Sequence, residues 1–201
     1  KLQEQRITIS RDLHDNIGAY ASAIRADVDK ITESGSEKNS AALHNLQQHS
    51  LEIINSLRDT IWVLNKENIT ITGISDRIKN HINKLQPSYN SVIINLQEMI
   101  ETDIRISSNT ALNIFRIVQE AIHNALKHSD ARQITVVIES RKMLLIKISD
   151  DGKGINAAEK KMQGNGLINM KQRAAESGLH LNIDSKAGSG TTINLNLSTT
   201  N

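Results

Sequence analysis

The chain has no cysteine, a single proline, and only 2% aromatic residues among its 201. Without cysteine there is no disulfide framework and no thiolate metal site, and a reducing compartment suits such a chain. With so few aromatics, any core must be built from Ile, Leu, Val and Ala. Charge of one sign is also lacking. The 24 Lys and Arg nearly balance the 22 Asp and Glu, for a net charge of +2, so neither a nucleic-acid surface nor direct membrane contact is expected. No apolar run reaches the length of a membrane span, and no signal peptide is visible. The pattern opens inside a helix-like stretch (Leu2, Arg6, Ile9, Leu13). It reads as part of a longer protein with a further segment upstream.

What is present divides in two, with a first region over 1–67 and a second over 68–201. Residues 2–32 read as one long helix, with Leu13, Ile17, Ile24, Val28 and Ile31 at three- and four-residue steps and Tyr20 in the middle gap. Ser34-Gly35-Ser36 breaks it. A second helix from about 40 to 65 carries Leu43, Leu46, Ile53, Ile54, Leu57, Ile61 and Leu64. Two such helices form a hairpin. One hairpin buries little, so a homodimer that makes a four-helix bundle is the expected way to cover both stripes. Residues 66–72 read as a linker.

Beyond it the spacing predicts a helix over 74–85 stopped by Pro87, a strand over 92–99, and a helix over 107–128 with Ser107 or Ser108 as N-cap. Strands are expected over 134–139, 144–149, 179–184 and 191–197, with a helix ending near 177. Adjacent strands joined by tight turns imply a mostly antiparallel or mixed sheet with helices on one face. The fold class is therefore α+β, an α/β sandwich following a helical hairpin.

Several stretches carry polar groups that a core does not need. Arg11-Asp12-Leu13-His14-Asp15-Asn16-Ile17-Gly18 sets a histidine beside an acid, with a glycine one turn on. That pattern suits a surface histidine on a bundle or a phosphoryl acceptor. Glu120, Asn124 and Lys127 share one helix face; they are either a solvated face or an acid, an amide oxygen and a phosphate counter-charge. Asp150-Asp151-Gly152-Lys153-Gly154 follows an apolar strand. In isolation it is a turn; at a strand end it aims a carboxylate. An ionised carboxylate only accepts hydrogen bonds, so it suits the amine of adenine and repels the carbonyl of guanine. Gly164-Asn165-Gly166-Leu167 opens a helix whose amides could meet phosphate, with residues 154–164 as a flap. A dinucleotide fingerprint fails because Asn169 stands where a third glycine is needed and no parallel βαβ context is expected before the loop. A Walker-type loop is absent too. Gly188-Ser189-Gly190-Thr191-Thr192 is a hairpin loop on its own.

In this order and spacing the stretches resemble the ATP-binding domain of sensor histidine kinases, of the gyrase, heat-shock-ninety, kinase and mismatch-repair (Bergerat) type. Phe115 to His128 looks like the asparagine box. Arg11 to Asp15 and Leu57 to Asn65 are similar to the subfamily that pairs with NarL-type response regulators. The resemblance implies ATP and Mg2+ as cofactors, a response regulator as partner, and a cytoplasmic location with a membrane anchor upstream. It also implies roles. His14 would accept the phosphoryl group, with Asp15 orienting the imidazole or taking its proton. Asn124, assisted by Glu120, would coordinate magnesium, and Lys127 and His128 would face phosphates. Asp150 would read adenine with Thr191 nearby, while Gly152, Gly154, Gly164 and Gly166 would form and hinge the lid, with Leu167 beside them. The other histidines (His44, His49, His81, His123, His180) read as ordinary.

One departure matters. The subfamily often has glutamine four residues after the acid, where it places water for removing phosphate from the regulator. Here that residue is Ala19, which withdraws support for a phosphatase and leaves kinase chemistry untouched. Two other classes remain open: a catalytically weak nucleotide-binding scaffold, and an ATP hydrolase with Glu120 as base.

Overall fold

A computed structural model describes residues 68–155 and 165–198, together with positions 21, 22, 24–26, 28, 31, 43, 46, 50, 53, 54, 57, 61 and 62. The chain divides into two compact units, Lys1–Glu67 and Asn68–Asn201. In the first unit every described position is helical. The hairpin loop, His14, Asp15, Gly18 and Ala19 lie outside the described residues.

The second unit runs β1 (Asn68–Thr70), α1 (Ile71–Leu85), a 3-10 turn (Gln86–Ser88), β2 (Ile93–Ile100), β3 (Arg105–Ser107) and α2 (Ser108–His128). It continues with β4 (Gln133–Ser140), β5 (Met143–Asp150), α3 (Asn165–Glu176), β6 (His180–Ser185) and β7 (Thr191–Ser198). The main sheet has five strands in the order β2-β4-β5-β7-β6. Only β2 and β4 run parallel, with α2 as their crossover; the other neighbours are antiparallel. The expected mixed sheet is therefore present. The expectation that no parallel βαβ context precedes the glycine loop is corrected: β2–α2–β4 is such a unit, because α2 carries the chain back across the sheet to lay β4 beside β2.

Alternation decides the faces. Ile134, Val136 and Ile138 of β4, Leu144, Ile146 and Ile148 of β5, and Ile193 and Leu195 of β7 are buried, because every second side chain of a strand points the same way. On α2 the stripe of Leu112, Phe115, Val118, Ile122 and Ala125 is likewise buried. Each such Ile or Leu contributes roughly 1.5–3 kcal/mol by leaving water.

The linker expected over 66–72 is corrected in part. Asn68–Thr70 forms β1, paired antiparallel with β3. α1 then starts at Ile71, earlier than its apolar spacing indicated, because Thr70 caps it: its hydroxyl accepts the Gly73 amide at 3.2 Å. Ser107 caps α2 in the same way, accepting the Thr110 amide at 3.1 Å. α1 packs on α2, where the His81 ring meets Phe115 edge-on, centroids 5.8 Å apart. The Arg77 guanidinium lies 5.0 Å from the Phe115 ring centroid.

Candidate nucleotide-binding site

A cavity of about 470 Å³ opens where the C-terminal half of α2, the end of β5, the start of α3 and β7 meet. Ala121, Ala125, Ile148 and Ile193 give it an apolar wall. Asn124, Lys127, His128, Asp150, Gly154, Gly166, Leu167 and Thr191 all line it. Residues far apart in sequence thus converge on one space. Gly164, predicted for the same rim, lies outside the described residues.

Asp150 is the last residue of β5 and opposes Thr191 in the β5–β7 register. Burial pushes its carboxyl above the ordinary aspartate range. Hydrogen bonds from the Gly152 and Thr191 amides oppose that rise, the Asp151 charge adds to it, and the Ser129 hydroxyl again opposes it. The Gly152 amide donates to Asp150 Oδ1 at 3.0 Å. Asp151 faces the other way. Its Oδ1 accepts the Arg132 and Gln133 amides at 2.8 and 2.9 Å, and these backbone bonds, Gln133 first, hold its carboxyl low. One of the two adjacent aspartates serves the cavity and the other ties the turn to β4.

The glycines matter where backbones press together. A β-carbon on Gly152 would overlap the Ser129 carbonyl, and one on Gly154 (φ 66°) would overlap the Lys186 carbonyl. The loop after β5 is stitched to the β6–β7 turn: Gly188 N donates to Lys153 O at 2.7 Å and Ile155 N to Ser185 Oγ at 2.8 Å. Ser129 and Ser185 are functional neighbours that sequence reading missed. Ser129 Oγ donates to Ala125 O at 2.7 Å and accepts Ala131 N at 3.1 Å, so it ends α2 and seats Gly152. Its place directly after His128 was the available signal. For Ser185 there was none, because its role depends on a fold-back of the chain.

On the opposite rim, Asn124 Nδ2 donates to Glu120 Oε1 at 3.1 Å. That bond directs the amide nitrogen to the carboxylate and leaves the Asn124 carbonyl oxygen as an acceptor. Lys127 and His128, both exposed, stand at the mouth. Lys153 also lines the cavity and pairs with Asp130 at 2.8 Å, an exposed pair of small energetic value.

Comparison with known proteins gives the class. Residues 109–201 match the family described as histidine kinase-, DNA gyrase B- and HSP90-like ATPase. Residues 5–68 match the family described as histidine kinase. The chain belongs to the sensor histidine kinases. It is 30% identical over 200 residues to the signal transduction histidine-protein kinase/phosphatase DegS of Bacillus subtilis (strain 168), covering 95% of this chain and 52% of that protein. It is 30% identical over 198 residues to the sensor protein VraS of Staphylococcus haemolyticus, covering 96% and 55%. The chain therefore spans about half the length of these curated relatives. Among solved structures it resembles the Acinetobacter baumannii histidine kinase AdeS (TM-score 0.62, 15% identity, 94% of this chain and 98% of that one). It also resembles the histidine kinase domain of the Erythrobacter litoralis EL346 blue-light activated kinase (TM-score 0.55, 19% identity, 89% and 95%). At such identities the likeness is one of fold. No described helix is long and apolar enough to cross a membrane.

Proposed function

We propose that this chain is the dimerisation and catalytic core of an ATP-dependent protein histidine kinase, with residues 1–67 as the dimerisation and phosphoacceptor part and 68–201 as the ATP-binding part. The observation that carries the reading is the convergence of Asp150, Asn124 and the α3 start on one cavity. Asp150 accepts the adenine amine at the apolar wall. Lys127 and His128 meet the phosphates together with the first amides of α3. The Asn124 carbonyl and the Glu120 carboxylate are hard oxygen donors that fit a magnesium ion. Magnesium characteristically takes one or two protein ligands and otherwise water and phosphate oxygens. When bound, magnesium would supply charge neutralisation across the transferring phosphates.

An imidazole nitrogen of His14 attacks the γ-phosphorus. The N–P bond forms, the bond from phosphorus to the ADP oxygen breaks, and the imidazolium proton passes to Asp15. Neutral imidazole is abundant near neutral pH, since its unperturbed pKa is about 6.5. The phosphoryl group then moves to an aspartate of a response regulator. The Bacillus relative is named a kinase/phosphatase; with Ala19 in this chain, we assign the kinase half alone. Exposed Val28, Leu43, Ile54 and Ile61 in the helical unit support a second copy of the chain as the bundle partner. ATP and a regulator as substrates place the chain on the cytoplasmic side, below an upstream membrane anchor.

Incubation with labelled ATP and magnesium tests the reading. The expected product is an acid-labile, base-stable phosphoprotein, lost in His14→Gln. A chain that binds ATP and never labels favours the scaffold. Steady phosphate release without a phosphoprotein favours a hydrolase.

A further inference from the structure

At the Asp150 end of the cavity one hydroxyl has two acceptors beside it. Ser129 lines the cavity and is buried. Its position is fixed from several sides. Ser129 Oγ accepts the Ala131 amide at 3.1 Å, and Ser129 O accepts the Lys153 amide at 2.7 Å. The hydroxyl donates to Ala125 O at 2.7 Å. That carbonyl already accepts the Ser129 amide at 3.2 Å, so the hydroxyl is its second donor. Giving up the second bond leaves no buried carbonyl unpaired. The other acceptor is Asp150. A β-carbon on Gly152 would lie 2.7 Å from Ser129 Oγ, and the Gly152 amide is bonded to Asp150 Oδ1. The turn that carries Asp150 thus lies against the hydroxyl, which opposes the rise that burial gives the carboxyl. The oxygen of Ser129 is held in place, and only its proton is free to turn.

We propose that Ser129 is the positioning residue for Asp150: its hydroxyl turns from the Ala125 carbonyl to the Asp150 carboxylate when the purine amine arrives, and holds that carboxylate ionised and aimed at the amine. The inference rests on the reading of the cavity as a nucleotide site and deepens it. A buried carboxyl tends to take up a proton, and a protonated one presents a donor where the adenine amine needs an acceptor. A hydrogen bond to the charged form favours that form, so the turned hydroxyl keeps Asp150 an acceptor. No covalent bond changes; the hydroxyl rotates about its Cβ–Oγ bond. Ser129 N also closes the last turn of α2, so one residue joins the helix that carries Asn124 and Lys127 to the purine contact. The other charged or titratable groups around the cavity are Lys127 and His128 from α2 and Lys153 from the loop after β5. Asp151 is committed to the Arg132 and Gln133 amides, and among the described lining residues β7 and α3 bring no charge.

The test titrates adenosine and ADP into the full chain calorimetrically, without metal, from pH 5 to pH 8. Ser129→Ala should bind both about ten-fold more weakly than the wild type at the acid end, near the low end for a hydrogen bond to a charged group, and within about two-fold of it at pH 8. Ser129→Cys, whose thiol is a weak donor, should show the same loss at the acid end, so the outcome does not hang on one replacement. Ser129→Thr keeps the hydroxyl and should follow the wild type. In an Asp150→Asn background, where position 150 carries no charge, Ser129→Ala should lose its pH dependence, which separates Asp150 from His128 and the two lysines. A loss of equal size at every pH, or a pH-dependent loss that survives in Asp150→Asn, overturns the proposal: Ser129 then only packs α2 against the turn. A wild type that binds neither ligand overturns the nucleotide-site reading and this inference with it.

Discussion

At the scale of single residues, the adjacent pair Asp150 and Asp151 shows how local context splits one chemistry into two. Both are aspartates on the same turn. Asp150 is half-buried, faces the cavity and is pushed up by burial, whereas Asp151 is exposed and held low by two backbone amides of the neighbouring strand. Asp150→Asn should therefore weaken ATP binding by roughly 10- to 100-fold, the value of a charge-assisted hydrogen bond, with little change in melting temperature. Asp151→Ala should do the reverse, lowering stability by about 0.5–1.5 kcal/mol as two exposed amides exchange the carboxylate for water. Calorimetry and thermal melts on the two variants separate these outcomes. The aspartate pair was legible in sequence because a strand end aims one carboxylate. Ser129 and Ser185 were not, because their partners are set by how loops fold against each other.

At the scale of elements, the α1–α2 interface carries a pH dependence. His81 is pushed down to about 4, first by burial, then by the charges of Lys84, Arg77 and His123. Its folded pKa lies below its unfolded value near 6.5, so between about 6.5 and about 4 the unfolded chain binds the extra proton. Its contribution is full above that window and is lost as pH falls through it, a change on the order of 3 kcal/mol. Denaturant midpoints measured from pH 7 to pH 4 should fall in the wild type and fall less in His81→Phe. An equal fall in both would show that other groups carry the acid sensitivity. Sequence reading treated His81 as ordinary, since helical spacing reports which face a residue takes and not which cations surround it. The same limit explains β1 and β3. A three-residue strand is too short to show a period, and its pairing is with a segment over thirty residues away.

For the whole molecule, the apolar residues exposed on the helical unit bear on assembly. Val28, Leu43, Ile54 and Ile61 are each at least 40% exposed. Leaving such side chains in water forgoes about 25 cal/mol per Å² of apolar surface, and the second copy of the chain proposed above would recover it. Replacing Ile54 and Ile61 together with Asp should shift the chain from dimer to monomer in light scattering. Its adenosine affinity should be retained, because the cavity lies wholly within residues 121–193. A variant that stays dimeric would place the interface elsewhere.

The amino-acid sequence by itself determined the family, the α+β class, the helix that carries Glu120, Asn124 and Lys127, and the strand end that carries Asp150. These are local properties: periodicity, capping and turn chemistry act over a few residues, and motif order survives without coordinates. Only the tertiary structure decided what Asp151 does, tying the turn to the Arg132 and Gln133 amides. It also decided that the parallel crossover lies over β2–α2–β4, and that Ser129 lies against the turn that carries Asp150. Each of these depends on the approach of segments distant in the chain, and that approach is fixed by the packing of the sheet against its helices rather than by any one stretch.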